Sequence, residues 1–304
     1  MSTLAKIKKV SLIFSEPRII LNIVLVRILF FLPDKIYLKI WFRNQMGYWM
    51  DFNNPNSFNE KLQWLKLYYR KPIMTTMVDK NAVKKYVAEK IGAEYIIPTI
   101  GIWDTFDEID FDKLPNQFVL KCTHDSGGLV ISKDKSKLDR ESARIKINNS
   151  LATNFYKLGR EWPYKNVPRR IIAEKYMVDS KTKELRDYKF FCFDGIVHYF
   201  KVDFDRQSSH RANYYNKFGE LQEFGEAICP PDFLRHIEMP VNLNKMILLA
   251  ENLSQGFPFL RVDFYEIDDQ IFFGELTFFP AAGVGKFVPD EWDTILGKKI
   301  ILPN

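Results

Sequence analysis

Cysteine and histidine are scarce in this chain, whose 304 residues contain three of the first and four of the second. Cys122, Cys192 and Cys229 show no C-x-x-C spacing, and each lies within or beside an apolar stretch. That argues against a disulfide framework and for a reducing compartment. No two of His124, His198, His210 and His236 stand at zinc-ligand spacing, so a zinc site is not expected. No Lys/Arg tract is interleaved with aromatic residues, which speaks against a dedicated nucleic-acid binder. Repeats, low-complexity tracts and long linkers are missing as well. No apolar run reaches the ~20 residues that a membrane span needs.

What is present is a globular composition. Hydrophobic residues make up 46% of the chain, charged residues 27%, and there are 26 phenylalanines, enough to bury a sizeable core. The length suits about two domains at roughly 150 residues each. A net charge of +6 points to anionic small molecules, nucleotides or an acidic membrane surface as partners. The most apolar stretch, Ile19 to Leu32, follows Lys6, Lys8 and Lys9 but leads into Pro33-Asp34 and not into a small-residue cleavage site. Two readings stay open for it: a buried N-terminal helix, or an interfacial helix that lays residues 1–33 on a membrane.

Residues 34–75 read as helical, with Ser57 and Glu60 as a capping box. A further helix is expected from Asp79 as N-cap to Gly92. Short apolar runs then predict strands at 96–103, 118–122, 129–132 and 171–176, with a helix over 139–156. Asp194-Gly195 predicts a type I′ hairpin turn. A helix over 242–255 and a last hairpin, 260–267 with 271–278, complete an α+β chain of mostly antiparallel strands.

Three stretches could carry chemistry. In the last hairpin, Arg261 and Asp263 share one face of the first strand, and Glu275 and Thr277 one face of the second. An odd-membered loop, Asp268-Asp269-Gln270, would set Asp263 opposite Glu275, whereas a two-residue loop would break that register. Two carboxylates so close call for positive charge between them: Arg261 could supply part of it, and Mg²⁺ with substrate phosphates the rest. In LKCTHDSGG, Lys121 closes a strand just before the Gly127-Gly128 loop, whose amides could approach a phosphate. It is neither a Walker A loop nor a nucleophile elbow. In the third, Glu174-Lys175-Tyr176-Met177 follows an apolar strand and could offer a slot to a purine. Taken singly, each also reads as an ordinary strand end or solvated hairpin.

Together, in this order and spacing, they resemble the ATP-grasp fold, in which two α+β lobes hold ATP between antiparallel sheets. More closely, Asn54-Pro55-x-Ser57-Phe58-Asn59-Glu60-Lys61-Leu62-Gln63-Trp64-Leu65-Lys66, Leu114-Pro115-x-x-Phe118-Val119-Leu120-Lys121 and Phe273-Gly274-Glu275-Leu276-Thr277 look like its teichuronopeptide-biosynthesis branch. Members of that branch are encoded with surface-polysaccharide genes and are often labelled glycosyltransferases. The resemblance runs from about Leu32 to Trp292. It implies a helical segment at 1–75, a first lobe with the phosphate loop at 76–172, and a second lobe with hinge and metal hairpin at 173–304.

The resemblance also implies ATP and Mg²⁺. Lys80 and Lys121 would contact the phosphates, with His124, Ser126, Gly127 and Gly128 in a flap above them. Glu174, Lys175, Tyr176 and Met177 would form the hinge that reads adenine, and Asp187 falls near the position that meets the ribose. Arg261 would stabilise the transferred phosphoryl group, while Asp263, Glu275 and Thr277 would bind metal. Thr277 departs from the asparagine that many enzymes of this fold keep. Lys201, Arg206 and Arg211 are candidates for an acidic substrate. The implied activity is a cytoplasmic carboxylate–amine ligation on a uronic acid of a bacterial surface polysaccharide, with a sugar kinase or a glycosyltransferase as alternatives.

Overall fold

The computed structural model describes residues 30–180, 185–205 and 209–303. The N-terminal apolar stretch up to residue 29, and Arg206, lie outside them. Among the described residues no helix is long and apolar enough to cross a membrane.

The expected helical stretch divides into three. Helix α1 (Asp34–Met46) starts after Pro33 and stops at Gly47, whose φ of 92° a residue with a Cβ would rarely adopt. Helix α2 (Phe58–Tyr68) is opened by the Ser57/Glu60 capping box: Ser57 Oγ accepts from the Glu60 amide at 3.2 Å, and Glu60 Oε2 from the Ser57 amide at 3.1 Å. After a short α3 (Ile73–Val78), α4 (Ala82–Ile91) begins slightly later than the sequence suggests. Asp79 still serves its start, because Oδ1 accepts from the Asn81 and Ala82 amides at 2.8 and 3.2 Å.

Two antiparallel sheets follow. The first holds β1 (Thr99–Trp103), β2 (Phe118–Cys122), β3 (Leu129–Ser132) and β4 (Ile171–Lys175) in the order β1-β4-β2-β3. Helix α5 (Arg140–Ala152) closes its apolar side with Ala143 and Ile147, and a short α6 (Phe155–Gly159) follows. The second sheet contains β5 (Asp187–Phe193), β6 (Ile196–Phe204), β7 (Arg211–Asn216) and β8 (Leu221–Gln222), then, beyond a short β9 (Gly225–Glu226) and α7 (Leu243–Ser254), β10 (Phe259–Ile267) and β11 (Gln270–Thr277). Its order is β11-β10-β5-β6-β7-β8. β12 (Phe287–Val288) pairs with β9, and α8 (Glu291–Gly297) is the last helix among the described residues. Asp194 and Gly195 turn β5 into β6 with φ of 48° and 77°, as a type I′ turn demands.

One face of the larger sheet buries apolar residues, Phe190, Phe200, Val262 and Phe264 among them, against α7. The other face is divided. At one end Phe191, Phe193 and Phe259 pack around Phe58 of α2, with ring centroids 4.9–6.5 Å apart. Further along the same strands the period-2 alternation continues with charged residues, Asp187 and Lys189 on β5, Lys201 and Asp203 on β6, Arg261 and Asp263 on β10, and all six are buried. Helix α2 is tied down from the other side, since the Asn59 amide and Nδ2 each donate to Asp293 Oδ1 of α8 at 2.9 Å.

The last hairpin corrects one expectation and keeps its consequence. Its turn has two residues, Asp268 and Asp269 with φ of 51° and 62°, and Ile267 pairs with Gln270. The register nevertheless sets Asp263 opposite Glu275 and Arg261 opposite Thr277. A bulge between Asp263 and Phe264 inserts Gly274 and restores the parity that the short turn removes. A Cβ at Gly274 would stand 3.0 Å from the Asp263 carbonyl oxygen, so a glycine suits the bulge.

Candidate active site

The charged half of the large sheet faces the small sheet across a cleft of about 270 Å³, lined among others by Lys80, Lys84, Lys121, Asp125, Ser126, Gly128, Glu174, Asp187, Lys189, Asp263, Gly274 and Glu275. Lys121 thus lines the same cleft as Asp263 and Glu275. It is not alone there. Its Nζ lies 2.6 Å from Glu174 Oε2, while Glu174 Oε1 lies 2.5 Å from Nζ of Lys84. Burial raises the Glu174 carboxyl, but Lys121 and Lys84 outweigh it and hold the group below its usual range. Its carboxylate thus aims two lysines at the cleft, a role different from reading adenine. Lys175, Tyr176 and Met177 are not among the lining residues.

The glycine loop is built less loosely than expected. The Ser150 hydroxyl donates to Asp125 Oδ2, while Asp125 Oδ1 accepts the Gly128 amide at 3.3 Å, and Lys80 Nζ donates to the Asp125 carbonyl. A Cβ on Gly128 would meet Ser150 Oγ at 2.3 Å and Cys122 Sγ at 2.7 Å, whereas one on Gly127 would find nothing closer than 3.6 Å. Gly128→Ala should therefore lower stability by about 1–3 kcal/mol, and Gly127→Ala by no more than about 0.5 kcal/mol. Urea unfolding of the two variants checks this, and equal effects would contradict the packing. His124 is turned away from the cleft: buried, its Nε2 lies 3.2 Å from the Thr153 carbonyl, and burial lowers its pKa.

Across the cleft, Arg261 fills the role that two facing carboxylates require. Nε and Nη2 reach Asp263 Oδ1 and Oδ2 at 2.7 Å each, a bidentate pair, and Nη2 also reaches Glu275 Oε1 at 2.6 Å and Thr277 Oγ1 at 3.1 Å. Lys189, which sequence reasoning passes over as one residue of a strand, contacts Asp187, Asp203 at 2.8 Å and Asp263 at 3.7 Å. Asp187 lines the cleft while holding this lysine. Burial raises Glu275, but Arg261, Lys80 and Lys189 outweigh it, so the carboxyl stays below its usual range.

Lys201 is not open to an acidic substrate, because it is buried with Nζ 2.9 Å from Glu226 Oε2. Arg211 Nη1 donates to the Pro231 carbonyl at 3.3 Å.

A second cavity of about 390 Å³ adjoins the first and shares Lys80, Asp125, Ser126, Gly274 and Glu275 with it. Arg261, Thr277, Tyr164 and Glu161 line the far part. Glu161 is buried, and its carboxylate has no hydrogen-bond or ion-pair partner among the described residues. Burial pushes its carboxyl up, with Lys66 only partly opposing the shift. Lys66 itself donates to Gln63 Oε1 at 3.1 Å and to the Gly159 and Ala282 carbonyls at 2.7 and 2.6 Å. Glu161 stands in a loop with no pattern around it, so no signal in the sequence singles it out.

Asp263, Glu275 and Thr277 offer hard oxygens on adjacent strands, the chemistry that Mg²⁺ takes. Glu275 is the most available, with a side chain 46% exposed, while Asp263 is 2% exposed and engaged by Arg261 through both oxygens.

A family model described as TupA-like ATPgrasp matches residues 60–301 of this chain. No curated protein matches it. Similar solved structures include D-alanine–D-alanine ligase from Bacillus anthracis, 18% identical over 66% of this chain and 57% of that one, TM-score 0.38. D-Alanine–D-alanine ligase from Helicobacter pylori is 11% identical over 82% of this chain and 67% of that one, TM-score 0.43. N5-carboxyaminoimidazole ribonucleotide synthetase from Thermus thermophilus is 12% identical over 67% of this chain and 45% of that one, TM-score 0.37. The chain spans a little over half the length of the Bacillus ligase.

Proposed function

The chain belongs to the TupA-like ATP-grasp family, and from that premise we propose that it is an ATP-dependent carboxylate–amine ligase. In this reading the nucleotide lies in the first cavity, with its phosphates toward Lys80 and Lys121, and the acceptor lies in the second. The observation that carries it is the junction. Lys80 and Glu275 line both cavities, so a γ-phosphate entering from one side and a carboxylate entering from the other meet beside Arg261.

A carboxylate oxygen attacks the γ-phosphorus, the bridging bond to ADP breaks, and an acyl phosphate forms. The amine then attacks the acyl carbon, phosphate leaves, and the amine gives up a proton. Such transfers need positioning and charge more than covalent catalysis. Lys80, Lys121 and Arg261 supply positive charge around the transferred group, and the lobes exclude water from the acyl phosphate. In the second cavity Glu161 suits the incoming amine, while Arg261 suits the carboxylate. Asp263, Glu275 and Thr277 would hold Mg²⁺, which when bound neutralises phosphate charge. Gly127 and Ser126 remain the proposed flap, and the backbone of 174–177 the proposed adenine hinge.

The proposed acid is a uronic acid of a bacterial surface polysaccharide or its precursor, on the strength of the Asn54–Lys66 and Phe273–Thr277 motifs. The proposed setting is the cytoplasmic face of the membrane, with residues 1–33 in peripheral contact. The test is ADP release from the purified chain with Mg-ATP and a panel of uronic acids and amines. Turnover should require both co-substrates. ADP with the sugar alone, beside a stable phosphosugar, would identify a kinase. Binding of UDP-sugars but not ATP would overturn the reading.

A further inference from the structure

We propose that Asp203, His210 and Cys229 form a zinc site separate from the nucleotide cleft. The three residues come from the end of β6, the position just before β7 and the segment after β9, seven and nineteen residues apart, so no spacing motif announces them. One ligand atom from each lies within 4.8 Å of the other two. His210 Nε2 is 3.3 Å from Asp203 Oδ1 and 3.8 Å from Cys229 Sγ. In a tetrahedral zinc site with the usual bond lengths, those edges are about 3.3 Å for N to O and about 3.5 Å for N to S. Both His210 edges therefore lie near those of such a site, and the Asp203–Cys229 edge is no longer than 4.8 Å.

The surroundings favour this use. Asp203 turns its other oxygen, Oδ2, to Lys189 at 2.8 Å, which fixes the carboxylate as an outer partner fixes a metal ligand. Lys201 stands 3.8 Å from Asp203 Oδ1 but is drawn to Glu226 Oε2 at 2.9 Å. The ligands combine a thiol, an imidazole and a carboxylate, which suits Zn²⁺ and not Mg²⁺. The His210 side chain is 38% exposed, giving an entry path and room for water as the fourth ligand. Binding would release the thiol proton, as zinc requires the thiolate. The rival arrangement is a hydrogen-bonded relay, since Sγ also lies 3.4 Å from His210 Nδ1.

Titration of the chelator-treated full chain with CoCl₂, then ZnCl₂, separates the two. The expected result is one Co²⁺ per chain with a thiolate-to-cobalt charge-transfer band, bleached by one equivalent of Zn²⁺. The band should vanish in Cys229→Ser and His210→Ala and persist in Glu275→Gln, which keeps this site apart from the proposed magnesium site. Because Cys229 is buried, His210→Ala, at a half-exposed position, guards against a merely unfolded variant, and thermal melts without metal confirm that each variant folds. No band, or a band unchanged by Cys229→Ser, would overturn the proposal and leave the relay.

Discussion

Arg261→Ala is expected to be the most damaging single substitution in the site, costing about 3–5 kcal/mol of folding stability. The reason is the company the guanidinium keeps. It is bonded twice to the buried Asp263 and once to Glu275. Removing it leaves Asp263 beside Asp187 with Lys189, 3.7 Å away, as the remaining cation in contact. Arg261→Lys should recover part of the loss but not the two-pronged contact, because an ammonium is a point charge. A double-mutant cycle with Asp263→Asn should show coupling of about 0.5–3 kcal/mol. Urea midpoints at neutral pH give these values. A cost for Arg261→Ala below about 1 kcal/mol, in the range of exposed ion pairs, would mean the charges are not sequestered as the geometry indicates.

Glu275→Gln separates binding from folding. Its side chain is half open to the cleft, and Arg261 keeps both contacts to Asp263 and the one to Thr277 without it. Stability should therefore stay within about 1 kcal/mol of the parent. The Mg²⁺-dependent part of ATP affinity should fall by more than about tenfold, since even outer partners of a metal site cost that much. Displacement of a fluorescent ATP analogue, with and without Mg²⁺, reads it directly. An unchanged response to Mg²⁺ would remove Glu275 from the proposed metal ligands, and with it the best-exposed oxygen of the set.

Much of this site is legible in the sequence where a residue type interrupts a strong pattern. Lys121 ends an apolar strand, and Arg261, Asp263, Glu275 and Thr277 alternate with apolar neighbours, so period 2 alone puts each pair on one face. Lys84 stays hidden because a lysine on the polar side of an amphipathic helix reads as solvated, and only the fold brings it to Glu174. Lys189 stays hidden because a strand buried on both faces gives no cue for an ion network on one of them. Glu174 is singled out for a different reason from the one its contacts give: its position at the strand end is as read, but two lysines hold its carboxylate. The length of the hairpin loop is not legible, because a turn and a bulge can cancel and alternation on either side looks the same in both cases.

That cancellation has a consequence for how such a chain can change. Turn length and bulge at Gly274 act as a matched pair: flattening the bulge while the turn keeps two residues would set Gly274 opposite Asp263, and so roll Leu276 toward the cleft and Glu275 toward the apolar core. Deleting the glycine outright removes the bulge and the extra residue together, so Asp263 still meets Glu275 in an unbroken ladder. Descendants of this sequence can thus cross between two hairpin lengths by losing or regaining the bulge residue alone, with the cleft-facing side chains kept in place. A sequence comparison that places such a gap in the turn and not at the bulge would misalign Gln270 to Phe273 by one residue.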